Sequence, residues 1–129
     1  QGSVMVTLLT LAPGVSIRGI RAEILHALWV AAAIIVSEGF EAVCTSGTEG
    51  THSVGSLHYV GLAGDMRTRH IPVERRKFIR DKIAAALGSD YDVVLEQTHL
   101  HLEFQPKGPL NKLLRVVRKK LTKKSHVKV

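Results

Sequence analysis

Two polar clusters in this chain have the residue types and spacing of a metal-assisted hydrolytic site. The first is Ser56-Leu57-His58-Tyr59-Val60-Gly61-Leu62-Ala63-Gly64-Asp65, in which a histidine and an aspartate are separated mainly by small and apolar residues. The second, further along the chain, is Glu96-Gln97-Thr98-His99-Leu100-His101. Divalent zinc accepts imidazole nitrogen and carboxylate oxygen. Three protein ligands leave its fourth position open to water, as in a catalytic rather than a structural centre. On this reading His58, Asp65 and His101 hold Zn²⁺. Glu96 is the general base for the water, and His99 orients that water or supports the oxyanion.

The spacing makes demands on the backbone. His58 and Asp65 are an odd number of residues apart, so on one flat strand their side chains would point to opposite faces. A bulge or bend is required between them, and Gly61, Ala63 and Gly64 are the residues that permit it. In the second cluster, a two-residue turn at Gln97-Thr98 would set Glu96 opposite His99, with His101 on the same face.

The elements that must position these residues follow from pattern. Val6 to Leu11 is a strand or an extended arm, broken by Ala12-Pro13-Gly14. Ser16 is a plausible N-cap for a long first helix carrying Ile17, Ile20, Ile24, Leu25, Leu28, Ile34 and Ile35, and Gly39 stops it. Phe40 to Thr45 reads as a strand, the Gly-, Ser- and Thr-rich Ser46 to Gly55 as a loop, and Leu57 to Arg67 as a strand. Pro72 opens a second helix with a stripe of Ile79, Ile83, Ala86 and Leu87, ended by Gly88. Tyr91 to Leu95 and His99 to Phe104 form a hairpin, Gln105 to Pro109 is a linker, and Leu110 to Leu121 is a third helix. This order predicts an α+β fold: a small, mainly antiparallel sheet with helices packed on one face.

With 129 residues the chain can bury a core without disulfides, and its single cysteine, Cys44, cannot form an internal one. The apolar stretch Ile24 to Val36 contains His26 and is too short to span a bilayer. Gln1-Gly2-Ser3 has the look of a protease-cleaved tag, and Met5 is the expected natural start. The Val4 to Leu11 run lacks a basic segment before it and a cleavage site after it, so no signal peptide is expected.

Charge divides the chain in two. The first 106 residues carry nine Lys/Arg and eleven Asp/Glu, a balance of −2, whereas residues 107–129 carry nine Lys/Arg and no acid, a balance of +9. A globular domain over residues 4–106 and a basic amphipathic tail over 107–129 are therefore expected. In the tail, Leu110, Leu113, Leu114, Val117 and Leu121 form a stripe among Lys112, Arg115, Arg118, Lys119 and Lys120. The stripe either docks on the core or meets an anionic envelope surface, whether lipid, lipopolysaccharide or wall polymer. Without interleaved aromatics, nucleic acid is not an expected partner.

The two clusters resemble the zinc DD-peptidase and Hedgehog-like superfamily. Its first element, S-x-H-x-x-G-x-A-x-D, is matched here by Ser56, His58, Gly61, Ala63 and Asp65. Its second is matched in both known forms, as Glu96-x-x-His99 and as His99-x-His101. The stretch Thr51 to Tyr59 also looks like the corresponding part of Hedgehog domains.

The resemblance spans Ile17 to Phe104 and implies a Hedgehog/DD-peptidase-like α+β fold with zinc bound by His58, Asp65 and a third histidine. His99 and His101 both qualify, and His101 is favoured because H-x-H members use the later one. It further implies a peptidoglycan peptide substrate, cut at stem or cross-link bonds, and it places Ser56 near that substrate. Arg67 and Arg69 follow Asp65 at alternate positions, and Arg67 is a candidate for binding a substrate carboxylate. The short chain is most similar to phage-encoded lysins, made in the cytoplasm and acting at the bacterial cell wall. Hedgehog proteins keep the zinc site without clear peptidase activity. The alternative implied is therefore a non-catalytic, zinc-stabilised binding or phage structural module.

Overall fold

The computed structural model describes residues 8–50, 52 and 55–125. Its elements in chain order are β1 (Thr10–Leu11), α1 (Ala22–Ser37), β2 (Val43–Ser46), a 3-10 turn (Leu57–Val60), β3 (Ala63–Arg67), α2 (Val73–Leu87), β4 (Tyr91–Leu95), β5 (His99–Phe104) and α3 (Pro109–Ser125). The five strands form one sheet in the order β1-β2-β3-β5-β4. β1 runs parallel to β2, and every other neighbouring pair is antiparallel. The expected α+β class with a mainly antiparallel sheet is what the chain adopts.

The register between β3 and β5 separates core from site. Gly64 and Met66 pair with Leu102 and Leu100, while Ala63, Asp65 and Arg67 pair with Glu103, His101 and His99. Because successive side chains alternate, the first set shares one face and the second set the other. Ile24, Ala27, Leu28, Ala31, Ala32 and Ile35 make one buried stripe of α1 and cover the core face together with Ile79 and Ile83 of α2. α1 approaches closely at Gly64, where a Cβ would lie 3.2 Å from a methyl of Leu28. So α1 and α2 do pack on one face. α3 instead reaches the body through Arg115, which bonds Gln105 and Asp92, and through Arg118.

Boundaries depart from the sequence expectation where backbone groups found other partners. The first helix starts at Ala22, not after Ser16, and Arg21 in extended conformation is its N-cap without a side-chain bond. Ser16 is engaged elsewhere: its N–H donates to Glu49 and its carbonyl accepts from Thr48 N–H. At the other end, Gly39 at φ +94° allows the N–H of Phe40 to reach the carbonyl of Ile35, closing α1 and delaying the second strand to Val43.

Pro72 caps α2 rather than entering it. Ala84, not the exposed Ala86, joins the core behind Ile79 and Ile83. The third helix runs from Pro109 to Ser125, longer at both ends than the expected Leu110 to Leu121. Of the expected strand Val6 to Leu11, Thr10–Leu11 is observed, Leu8 and Leu9 are not in a strand, and residues 6–7 lie outside the described ones.

Candidate metal centre

Leu57 to Arg67 is not one strand. It is a single 3-10 turn followed by β3, and this break meets the geometric demand that the His58–Asp65 spacing makes. The Ser56 hydroxyl accepts the N–H of His58 at 3.2 Å and caps the turn. Gly61 ends it at φ +76°, a left-handed conformation that side chains disfavour. A Cβ there would lie 2.3 Å from the carbonyl oxygen of Gly19, so only glycine lets the turn seat against the segment before α1. The Gly61 carbonyl in turn accepts from Arg21 N–H at 2.9 Å.

The turn delivers His58 to the site, almost fully buried. Its Nδ1 is 2.7 Å from the carbonyl oxygen of Gly47, and its Nε2 is 3.5 Å from Asp65 Oδ2. A bulge in β2 brings Gly47 close, because Cys44 pairs with Met66 while Ser46, two residues on, already pairs with Asp65. The Glu49 carboxylate then fixes the loop by accepting from Ser46 Oγ and from the N–H groups of Gly47 and Ser16.

Asp65 on β3 faces its register partner His101 on β5, with Oδ1 2.7 Å from His101 Nδ1. On its far side, His101 Nε2 is 2.8 Å from Glu103 Oε1, and Gln105 donates to the other oxygen of Glu103. Among the described residues, donor atoms of His58, Asp65 and His101 all lie within 4.8 Å of one another, so the three can hold a metal ion. The set includes His101 rather than His99. His99 Nε2 stands 3.8 Å from Asp65 Oδ2 and 3.5 Å from Glu96 Oε1. The hairpin turns at Gln97-Thr98, and the N–H of Glu96 bonds the carbonyl of His99 at 2.8 Å. Glu96 and His99 thus sit together at the margin of the ligand set.

The electrostatics suit a cation. Burial opposes charge on Asp65, but hydrogen bonds from His101 and His58, and the charge on those rings, outweigh it and hold the carboxyl well below the usual range. Burial also opposes charge on His101, yet Asp65 and Glu103 push it up to about 10 in the metal-free protein. For His58, burial is likewise outweighed, by Asp65 and the Gly47 carbonyl, and its pKa is raised. Glu103, despite burial, is lowered by His101 and Gln105. The donor set fits zinc: two imidazoles and one carboxylate, with the outer nitrogen of each ring against an oxygen acceptor that fixes its tautomer.

These residues line a cleft of about 330 Å³ that also takes in Ser56, Glu96, His99 and Arg118. A wider groove of about 690 Å³ runs round the β4 edge and reaches the same His101 and Glu103. It holds none of the other donors, so the smaller cleft is the relevant one. Arg67 is not among the cleft-lining residues, although the register places it on the site face opposite His99. Sequence reading did not find Glu103, Glu49 or Gly47. The alternation His99, His101, Glu103 along β5 was the available signal for Glu103; the other two act through a loop whose path no local pattern shows. His52, in the loop before the turn, stacks on His58 with ring centroids 4.1 Å apart.

No family model matches this chain, and no curated protein or solved structure matches it either.

Proposed function

We propose that this chain is a zinc-dependent peptidase that hydrolyses stem or cross-link peptide bonds of peptidoglycan, in the manner of a phage lysin. The observation that carries the reading is the convergence of His58, Asp65 and His101 donors within 4.8 Å, at the base of a cleft that also holds Glu96 and His99. The substrate class rests on the resemblance of the Ser56-to-Asp65 and Glu96-to-His101 elements to zinc DD-peptidases.

Zinc, when bound, supplies a Lewis acid that polarises a carbonyl and lowers the pKa of water to about 7. His58 would hold it through Nε2, His101 through Nδ1, and Asp65 through a carboxylate oxygen. The chain's own residues supply the proton traffic. Glu96 takes the proton of the attacking water and returns it to the leaving amine as the peptide bond breaks. His99, 3.5 Å from Glu96, orients the water or supports the oxyanion. Ser56, which lines the cleft, lies near the substrate. Arg67, the register partner of His99 on the site face, is the candidate to bind a substrate carboxylate.

The test pairs zinc content of the purified protein with release of peptide fragments from purified peptidoglycan, with and without a chelator. About one zinc per chain and chelator-sensitive release are expected. Bound zinc without release would replace the peptidase with the zinc-stabilised binding module. A well-folded protein that takes up no zinc would remove both.

A further inference from the structure

The third helix presents two sides with different chemistry. Arg115 and Arg118 turn to the body, toward Asp92 and toward the Gly55 carbonyl, which accepts from Arg118 at 2.9 Å. Leu113, Val117 and Leu121 recur at helical spacing on another side and are 60%, 44% and 61% exposed. Lys120, beside Leu113 and Val117, is exposed as well. Of the expected stripe, Leu113, Val117 and Leu121 are therefore not covered by the core, whereas Leu114 borders a small pocket beside Leu57 and Phe104; the Leu110 side chain lies outside the described ones. A contiguous apolar stripe left in water normally has a partner.

Charge narrows the partner. Residues 107–129 carry nine basic residues and no acid. A second copy of the same helix would bring like charge against like charge. Nucleic acid would engage the lysines but leave the leucines in water. An anionic bilayer satisfies both, since acyl chains take the stripe and phosphates take the lysines. No helix among the described residues is long and apolar enough to cross a membrane, so the helix would lie on the surface rather than span it.

We propose that α3 is an interfacial anchor for anionic phospholipid membranes, with Leu113, Val117 and Leu121 sunk at the headgroup–acyl boundary. Arg118 belongs both to this helix and to the wall of the metal-site cleft. Anchoring would thus hold the cleft about one helix diameter, ~10 Å, from the bilayer.

The test uses the full chain, sedimented with vesicles of phosphatidylglycerol and phosphatidylcholine or of phosphatidylcholine alone. Binding to the anionic vesicles is expected to be at least tenfold stronger and to weaken with salt. Lys120→Gln should weaken it roughly fivefold, the effect of one basic residue near a charged surface. Leu113→Ser, Val117→Ser and Leu121→Ser together should abolish it while leaving circular dichroism and zinc uptake unchanged. Equal or absent binding to the two vesicle types overturns the proposal, as does undiminished binding of the triple serine variant. A dimer in sedimentation velocity that the serine variant loses would assign the face to a second copy. Salt-sensitive DNA binding that the serines do not affect, without vesicle binding, would assign the helix to nucleic acid.

Discussion

His58 and Gly47, eleven residues apart in sequence, meet ring to backbone: His58 Nδ1 lies 2.7 Å from the Gly47 carbonyl oxygen. A carbonyl can only accept, so Nδ1 bears a proton, and Nε2, on the Asp65 side, is the nitrogen that a metal could take once its own proton has left. A loop with no side chain in the ligand set thereby decides which nitrogen is offered to a metal.

Gly47→Ala tests that relationship. A Cβ at this position would lie 2.3 Å from the backbone oxygen of Ser16, so the loop must shift and carry the carbonyl with it. Zinc affinity is expected to fall about 10- to 100-fold, as for other losses of support behind a ligand. The overpacking should cost about 1–3 kcal/mol of stability. Competition with a chromophoric chelator and a urea melt would measure the two. Unchanged affinity would show that the carbonyl does not position His58.

Glu103 does for His101 what Gly47 does for His58, with a carboxylate 2.8 Å from Nε2. Glu103→Ala should weaken zinc binding by about 10- to 100-fold, and Glu103→Gln, which keeps an acceptor oxygen, by less. The same competition assay distinguishes them. Equal losses in both variants would mean that the negative charge, not the hydrogen bond, is what matters.

Zinc bound at this site would have to displace protons. His101 is raised from its ordinary 6.5 to about 10, and His58 is raised as well, so both compete with metal more strongly than free imidazoles. Affinity should rise with pH, and calorimetry at pH 7 in buffers of different ionisation enthalpy should register proton release. Metal-free stability runs the other way. The raised His101 contributes fully below pH 6.5, and its contribution is lost as pH rises through about 10. The depressed Asp65 contributes above its ordinary 3.8, and this is lost as pH falls through its lower folded value. Thermal melts of chelated protein across pH check both limbs; a flat profile would contradict them.

Glu96→Ala separates chemistry from metal binding. Glu96 is outside the ligand set, so zinc content and thermal stability should stay at wild-type levels. Peptide release should drop by about 10²- to 10⁴-fold, the usual range for removing a general base. Wild-type turnover in this variant would remove Glu96 from the mechanism. His99→Ala should cause a smaller loss, because its proposed part is to support the reaction beside Glu96, 3.5 Å away, rather than to move the proton.

The pattern of residues determined the parts of this protein. Helical spacing marked Ile24, Leu28 and Ile35 of the buried stripe of α1, though not its alanines, and wrongly included Leu25, which is exposed; alternation placed His99 and His101 on one side of β5, and the two-residue turn at Gln97-Thr98 set Glu96 against His99. These are local consequences of backbone period, which the chain carries in itself. The need for a bend between His58 and Asp65 was legible for the same reason, as was Gly61 as a residue that allows it.

The tertiary structure alone decided how the parts meet. That the bend is a helical turn, and that only glycine fits at Gly61, depends on a carbonyl at Gly19, far off in the chain. That His101 rather than His99 joins Asp65 depends on the register between β3 and β5. Shifting that register by one residue would send every one of these side chains to the other face. The starts of α1 and β2 were misplaced because Ser16 and Phe40 spend their backbone groups on non-local or capping bonds that no local pattern announces. The α3 stripe read the same whether buried or bare, since amphipathicity records that a helix has two faces and not what lies against either.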